Sequence, residues 1–201
     1  MGSETKSYHH GNLREVLLEI AFRVVDDRGI EAINMRALAR EAGVSSAAPF
    51  RHFADKQALL DAVAVKAATD LERTLEEATE QGDDALTQFR AMTVAYVRFA
   101  SEHRALFNLI HSTETTSAAF LAGANDERRP KLIALIIEGQ NAGLIPELDP
   151  ELIALTNEAL THGLARMIVD GHPRVRDLSS EDARKLALAA THLLQNGIGL
   201  S

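Results

Sequence analysis

Eight histidines and no cysteine set the chemistry open to this chain. Without Cys there is no thiolate nucleophile, disulfide framework, Cys-zinc site or iron–sulfur cluster. The residue three positions before each His is Lys, Ser, Pro, Ala, Asn, Ala, Val or Ala, so no Glu-x-x-His pair exists for a di-iron bundle. His-x-x-x-His, His-Glu-x-x-His, a phosphate loop and a Gly-x-Ser-x-Gly elbow are also absent. A Ser–His–Asp triad converges only in space, and no Ser singles itself out. The sequence therefore predicts no catalytic residue, no metal and no cofactor. A different chemistry is legible between Met35 and Phe53. Leu38, Ala39 and Ala42 give a short helix a narrow apolar face, Gly43 suits a sharp turn, and Val44 fills the angle beyond it. Ser45 then stands as the cap of a second helix whose start, Ser46, Ala47 and Ala48, is small enough to enter a major groove about 12 Å wide. The layout is that of a helix-turn-helix.

The elements that must hold this motif are helices throughout. Leu13, Leu17, Ile20, Ala21, Val24 and Val25 follow the spacing of one buried helical face, with Asn12 as N-cap and Gly29 as the C′ residue. Asn34 opens the second helix, and Ser45 or Ser46 the third, which carries Phe50 and Phe53. Asp55 opens a long fourth and Asp83 or Asp84 a fifth. Glu102 to His111 forms a short sixth. Small and polar residues from Ser112 to Asn125 predict loop or weak helix, and Pro130 the first turn of a seventh. Asp149-Pro150 starts an eighth, and Ser179 or Ser180 a ninth ending at Gly197. The expected fold is all-α with about nine helices. Residues 1–56 would form a DNA-binding domain (motif about 35–54), and residues 57–201 a larger helical domain.

Composition agrees with a folded protein: of 201 residues 46% are apolar, 25% charged and 4% aromatic. No apolar run approaches the roughly 18 residues of a membrane span. The start, MGSETKSYHHGNLRE, is too polar for a secretory signal, so a cytoplasmic location is expected. The chain carries 21 Lys/Arg and 29 Asp/Glu, a net charge of −8. Residues 1–53 balance seven of each sign, so the whole excess lies beyond them. An acidic body repels phosphate, which leaves only a local contact near the amino terminus for a polyanion.

Three stretches, Tyr8-His-His-Gly-Asn-Leu-Arg14, Leu38-Ala-Arg-Glu-Ala-Gly-Val-Ser45 and Phe50-Arg-His-Phe-Ala-Asp-Lys-Gln-Ala-Leu-Leu60, carry a specific likeness. Through them the chain resembles the TetR/AcrR family of bacterial transcriptional regulators. Thr161-His162-Gly163 is similar to the Trp-His-Gly of one carboxy-terminal domain type in that family, with Thr in place of Trp. The resemblance implies a homodimer with two motifs about one DNA turn apart, each placing its third helix in the major groove of an inverted-repeat operator. Carried over by position, Arg36 reaches a base edge or phosphate. Ser45 caps the third helix, and Ser46, Ala47 and Ala48 face the bases. His52 and Lys56 hold phosphate. At position 50 the family usually has Tyr, and Phe50 keeps the packing without the hydroxyl. Tyr8, His9 and His10 would form an arm near the DNA backbone.

The resemblance also implies a small-molecule effector and dimerisation through the last two long helices, and an apolar pocket would suit a lipophilic effector. Ala154, Ala159, Gly163, Ala165, Ala183, Ala187, Ala189 and Ala190 would allow close packing between subunits there. Met92, Tyr96, Phe99, Phe107, Ile110, His111 and His162 are the candidate pocket lining, with the two histidines as its polar members. The expected function is a ligand-responsive regulator, a repressor released from DNA by its effector, with no membrane partner. The rival reading is a helical small-molecule-binding or interaction module without sequence-specific DNA binding; an all-α enzyme is a second.

Overall fold

The computed structural model describes residues 13–112 and 117–196, with backbone alone at 117–127, 195 and 196. Asn12, the Tyr8 to His10 arm, Gly197 and part of the Ser112 to Asn125 stretch lie outside the described residues. Among the described residues eight α-helices follow one another: α1 (Leu13–Arg28), α2 (Met35–Glu41), α3 (Lys56–Thr79), α4 (Ala85–Glu102), α5 (Arg104–Ile110), α6 (Ser117–Asn141), α7 (Pro150–Val169) and α8 (Ser180–Asn196). Two 3-10 turns, Ile30–Ala32 and Pro49–Arg51, lie between them. Among the described residues there is no strand, and the fold is all-α.

Most helix starts are set by short acceptor side chains that satisfy free backbone N–H groups. Asn34 accepts from Arg36 N and Ala37 N at 3.0 and 3.1 Å. Asp55 accepts from Ala58 N at 2.8 Å, and Asp84 shares a capping box with Thr87. Asp149 accepts from Glu151 N ahead of Pro150, and Ser179 Oγ accepts from Asp182 N. After α2, Gly43 takes φ +70°, with its N–H bonded to Arg40 O and that of Val44 to Ala39 O. This left-handed closure turns the chain sharply and brings Val44 onto the core.

Two expected elements differ. The predicted third helix is a turn at Ser46 and Ala47 followed by the 3-10 stretch Pro49–Arg51. Pro49 has no N–H to return to Ser45, so the bonds here run three residues back: Ala48 N to Ser45 O, Arg51 N to Ala48 O. No side chain caps the 3-10 stretch. The predicted seventh helix starts at Ser117 rather than near Pro130, which therefore sits inside α6. The Ala-rich run before Pro130 favours helix, and only one backbone donor is lost where the ring interrupts it.

α4 lies at the centre, packed against α3, α6, α7 and α8. One apolar core runs unbroken from α1 and α2 (Leu17, Val25, Leu38) through α3 (Leu59, Val63, Leu71, Leu75) to α4 and α5 (Phe99, Phe107). α3 contributes to it along its whole length, so one rigid helix serves both the motif and the body. Smaller clusters join α4 to α7 and α8 (Val97, Ile168, Ala187), and α4 to α6 and α7 (Phe89, Ile136, Ala154). Asp26 in the last turn of α1 faces His103 between α4 and α5, whose Nδ1 lies 3.0 and 2.9 Å from the two carboxylate oxygens.

Candidate nucleic-acid interface and inner polar cluster

The motif residues share an exposed face. Arg36, Ser45, Ser46, Ala47, His52 and Lys56 are exposed and Ala48 is half-buried. Phe50 is 51% exposed, so the packing expected of it falls instead to Phe53, which is 3% exposed, and to buried Pro49. A 3-10 turn spaces its side chains about 120° apart, which sends Phe50 away from the side buried by Pro49, while Phe53 lies beyond the turn and packs on the core. Arg14 lies over the Phe53 ring at 5.1 Å and helps hold it.

Two cations join this face that the sequence reading did not single out. Arg40 is one turn beyond Arg36 on α2, and Arg51 stands in the 3-10 turn; both are exposed. Among the described residues Arg36, Arg40, Arg51 and Lys56 make no ion pair with a carboxylate. Unpaired cations beside small side chains are what a phosphate backbone neutralises when a motif enters a groove. Their spacing on an exposed helix face was the available signal for Arg40.

The candidate pocket residues divide. Phe99 and Ile110 belong to the main apolar core, with Met92 packed against it. Tyr96, Phe107, His111 and His162 come together from α4, α5 and α7. The Tyr96 and Phe107 rings meet edge to face at 5.6 Å, and the His111 and His162 rings lie 4.9 Å apart. Tyr96 Oη is 2.9 Å from His162 Nδ1 and 3.3 Å from His111 Nε2, and His111 Nδ1 is 2.9 Å from Phe107 O. Only one proton order among neutral groups gives every contact a donor and an acceptor. His111 Nδ1–H donates to Phe107 O, Tyr96 O–H donates to His111 Nε2, and His162 Nδ1–H donates to Tyr96 Oη.

Burial supports that neutral order. It lowers the pKa of both His111 and His162 below the ordinary imidazole value, and the Arg166 guanidinium presses both further down. The Tyr96 phenol is held well above its usual range by burial. Around this cluster the body interior carries other polar groups. Glu72 on α3 and Arg128 on α6 pair at 2.7 Å, with burial raising the Glu72 pKa against the pull of Arg128. Thr93 donates to Asn157 at 3.2 Å, and buried Thr161 Oγ1 has no hydrogen-bond partner among the described residues. Glu72 and Arg128 are 56 positions apart, so nothing local marked them as partners.

The last two helices present a further face. On α7, Leu152, Leu155, Thr156, Ala159, Gly163 and Met167 are exposed at helical spacing, joined by Ala189 and Leu193 on α8. Leu152, Leu155 and Leu193 are each more than half exposed. Four of the expected interface residues are not available to it: Ala154, Ala165, Ala183 and Ala187 are at most 1% exposed and pack inside the chain's own bundle. Their small size brings α7 and α8 close to α4. None of the described helices is long and apolar enough to cross a membrane.

Comparison with known proteins matches residues 17–63 to the bacterial regulatory proteins of the tetR family. The HTH-type transcriptional regulator BetI of Rhizobium meliloti (strain 1021) is 27% identical over 196 residues, 92% of each chain. A solved protein of unknown function from Rhodococcus sp. RHA1 is 35% identical, with 95% of this chain and 98% of that one covered at a TM-score of 0.74. The transcriptional regulator FadR from Bacillus subtilis, solved with stearoyl-CoA, superposes at a TM-score of 0.68 over 92% of this chain and 99% of its own, at 17% identity. At that identity the likeness speaks for the fold alone.

Proposed function

Because the chain belongs to the TetR/AcrR family of transcriptional regulators, we propose that it works as a homodimeric, effector-released repressor on an inverted-repeat operator. The observation that carries this reading is the exposed face of Arg36, Arg40, Arg51 and Lys56, cations without carboxylate partners on a chain of net charge −8. Arg36 reads a base edge or phosphate, Ser46, Ala47 and Ala48 face the bases, and His52 and Lys56 hold the backbone. Phe50, turned outward and without a hydroxyl, offers apolar contact to sugar or a thymine methyl.

The exposed apolar stripe on α7 and α8 supports the dimer, since a second copy would cover leucines otherwise left to water. The effector occupies the body near Tyr96, where an apolar surround meets polar groups. The fold is one in which FadR holds stearoyl-CoA, which supports an effector with a lipophilic part. The Glu72–Arg128 pair and the lone Thr161 hydroxyl favour a polar head on it. An effector that prefers a different separation of the two motifs prevents their simultaneous insertion, and DNA is released. The protein has no catalytic part in this scheme and acts where the DNA is, in the cytoplasm.

The test is an in-solution selection from randomised duplex DNA at moderate salt, with the retained sequences read. Enrichment of an inverted repeat supports the reading. Absence of enrichment across a range of salt overturns it in favour of a binding module that ignores DNA sequence.

A further inference from the structure

A cleft of about 660 Å³ opens between the two functional parts, at the edge of the apolar core where Leu109 lines it. One wall is the turn after α1, with Gly29, Ile30 and Glu31; the other is α5 and α7, with Asn108, His111, His162 and Arg166. The charged groups in its lining are Glu31 and Arg166, the latter ion-paired with Asp170. Glu31 is exposed and has no ion pair among the described residues. Opposite, Arg166 donates to Asn108 Oδ1 at 2.8 Å and to Asp170 Oδ1 at 2.5 Å. These two bonds orient the guanidinium and leave three of its five N–H groups for another acceptor.

The proton order of the inner cluster fixes what His162 offers here. Its Nδ1–H is committed to Tyr96, so Nε2 carries a lone pair and can only accept. The cleft therefore presents acceptors at Glu31 and His162 and a donor fork at Arg166. A ligand matching it needs N–H donors at one end and a carboxylate at the other.

We infer that this cleft binds a small zwitterion of amino-acid to dipeptide size, its ammonium on Glu31 and His162 Nε2 and its carboxylate on Arg166. Such a ligand would tie the turn carrying the helix-turn-helix to α7 of the body. Its effect on DNA rests on the regulator reading above; its binding does not. Bound, it holds the motif in one position relative to the body and so biases whichever motif spacing that position favours.

Titration calorimetry of the full chain with a panel of free α-amino acids and dipeptides tests the inference, each probe run beside its N-acetylated and methyl-ester forms. At least one free probe is expected to bind, with tenfold or greater loss when either end is blocked and when Glu31→Gln is used. Glu31 is exposed, so that variant should melt like the wild type. Arg166→Lys, which keeps the charge and loses the fork, should also weaken binding at least tenfold. No binding by any probe at millimolar concentration, equal binding of blocked and free forms, or an unaltered affinity in Glu31→Gln would overturn it. Operator retention measured on the same samples separates the two readings: selective DNA binding without zwitterion binding removes only the cleft proposal, and zwitterion binding without DNA selection removes only the regulator.

Discussion

The helix-turn-helix part and the body dispose of their polar groups in opposite ways. Around the motif the interior is apolar, with Leu17, Val25, Ile33, Leu38 and Phe53 all buried, while Arg36, Arg40, Arg51 and Lys56 stand outside without carboxylate partners among the described residues. In the body many surface cations are paired, as in Arg73 with Glu77, Arg129 with Glu151 and Arg184 with Glu181. There the polar groups have moved inside: Thr93, Asn157, Thr161 and Thr191 are buried, beside the Tyr96–His111–His162 cluster. An unpaired surface cation is well solvated and ready for phosphate. A buried polar group costs stability unless it is bonded, so a surplus of them suits a site for a ligand. The contrast separates a surface suited to a polyanion from an interior suited to a small molecule.

The sharpest challenge to this contrast pairs two phenylalanines. Phe107→Ala removes a fully buried ring from the body and should cost about 3–5 kcal/mol in a denaturant titration. Phe50→Ala on the motif should stay within about 0.5 kcal/mol of wild-type stability. Equal losses would mean that Phe50 packs after all. Next in size, Arg36→Ala should weaken specific DNA binding by about 1–3 kcal/mol, and Lys56→Ala should reduce the salt slope by about one without changing the preferred sequence. Unchanged affinity and slope in both would remove the free cations from the DNA face.

Titration probes the body alone. His111 and His162 have pKa values lowered in the folded chain, against about 6.5 when unfolded. Below pH 7 the unfolded chain takes up protons that the folded one refuses, so the stability from these groups is complete above that pH and is lost as pH falls through about 6.5. Melting temperatures from pH 7.5 to 5 should show the decline, and His111→Gln should flatten it; a slope unaltered in that variant would clear His111 as its source. Smallest of all, Thr161→Val deletes the unpartnered hydroxyl and should leave stability equal or higher by less than about 1 kcal/mol. A larger loss would show that the hydroxyl is bonded in the folded protein.

What the sequence disclosed follows the range of the interaction concerned. Asn34, Asp55, Asp84 and Asp149 were legible as caps because each bonds N–H groups two or three residues on. Gly43 was legible for the same reason. The 3-10 turn at Pro49 was not, since helix and 3-10 turn bury Phe53 alike and differ only in which carbonyl each N–H reaches. Pro130 misled because a proline is tolerated both in a first turn and, with one bond lost, inside a helix that its neighbours hold. Tyr96, His111 and His162 could be nominated singly, but their common hydrogen bonds depend on how α4, α5 and α7 meet. Of the seven alanines of α7 and α8 expected at the subunit contact, four face into the chain's own bundle, because an alanine fits either side of a helix; the exposed leucines beside them carry the clearer signal.

α3 has a mechanical consequence. Its 24 residues make a rod about 36 Å long, at 1.5 Å per residue, gripped by the body near Leu71 and Leu75 and by the motif near Leu59 and Leu60. A rod of that length pivoting at one end sweeps its tip about 3 Å for every 5° of tilt. A side-chain rearrangement in the body too small to disturb its packing would thus be magnified at the far end, and in a dimer two such rods diverging together would double the change.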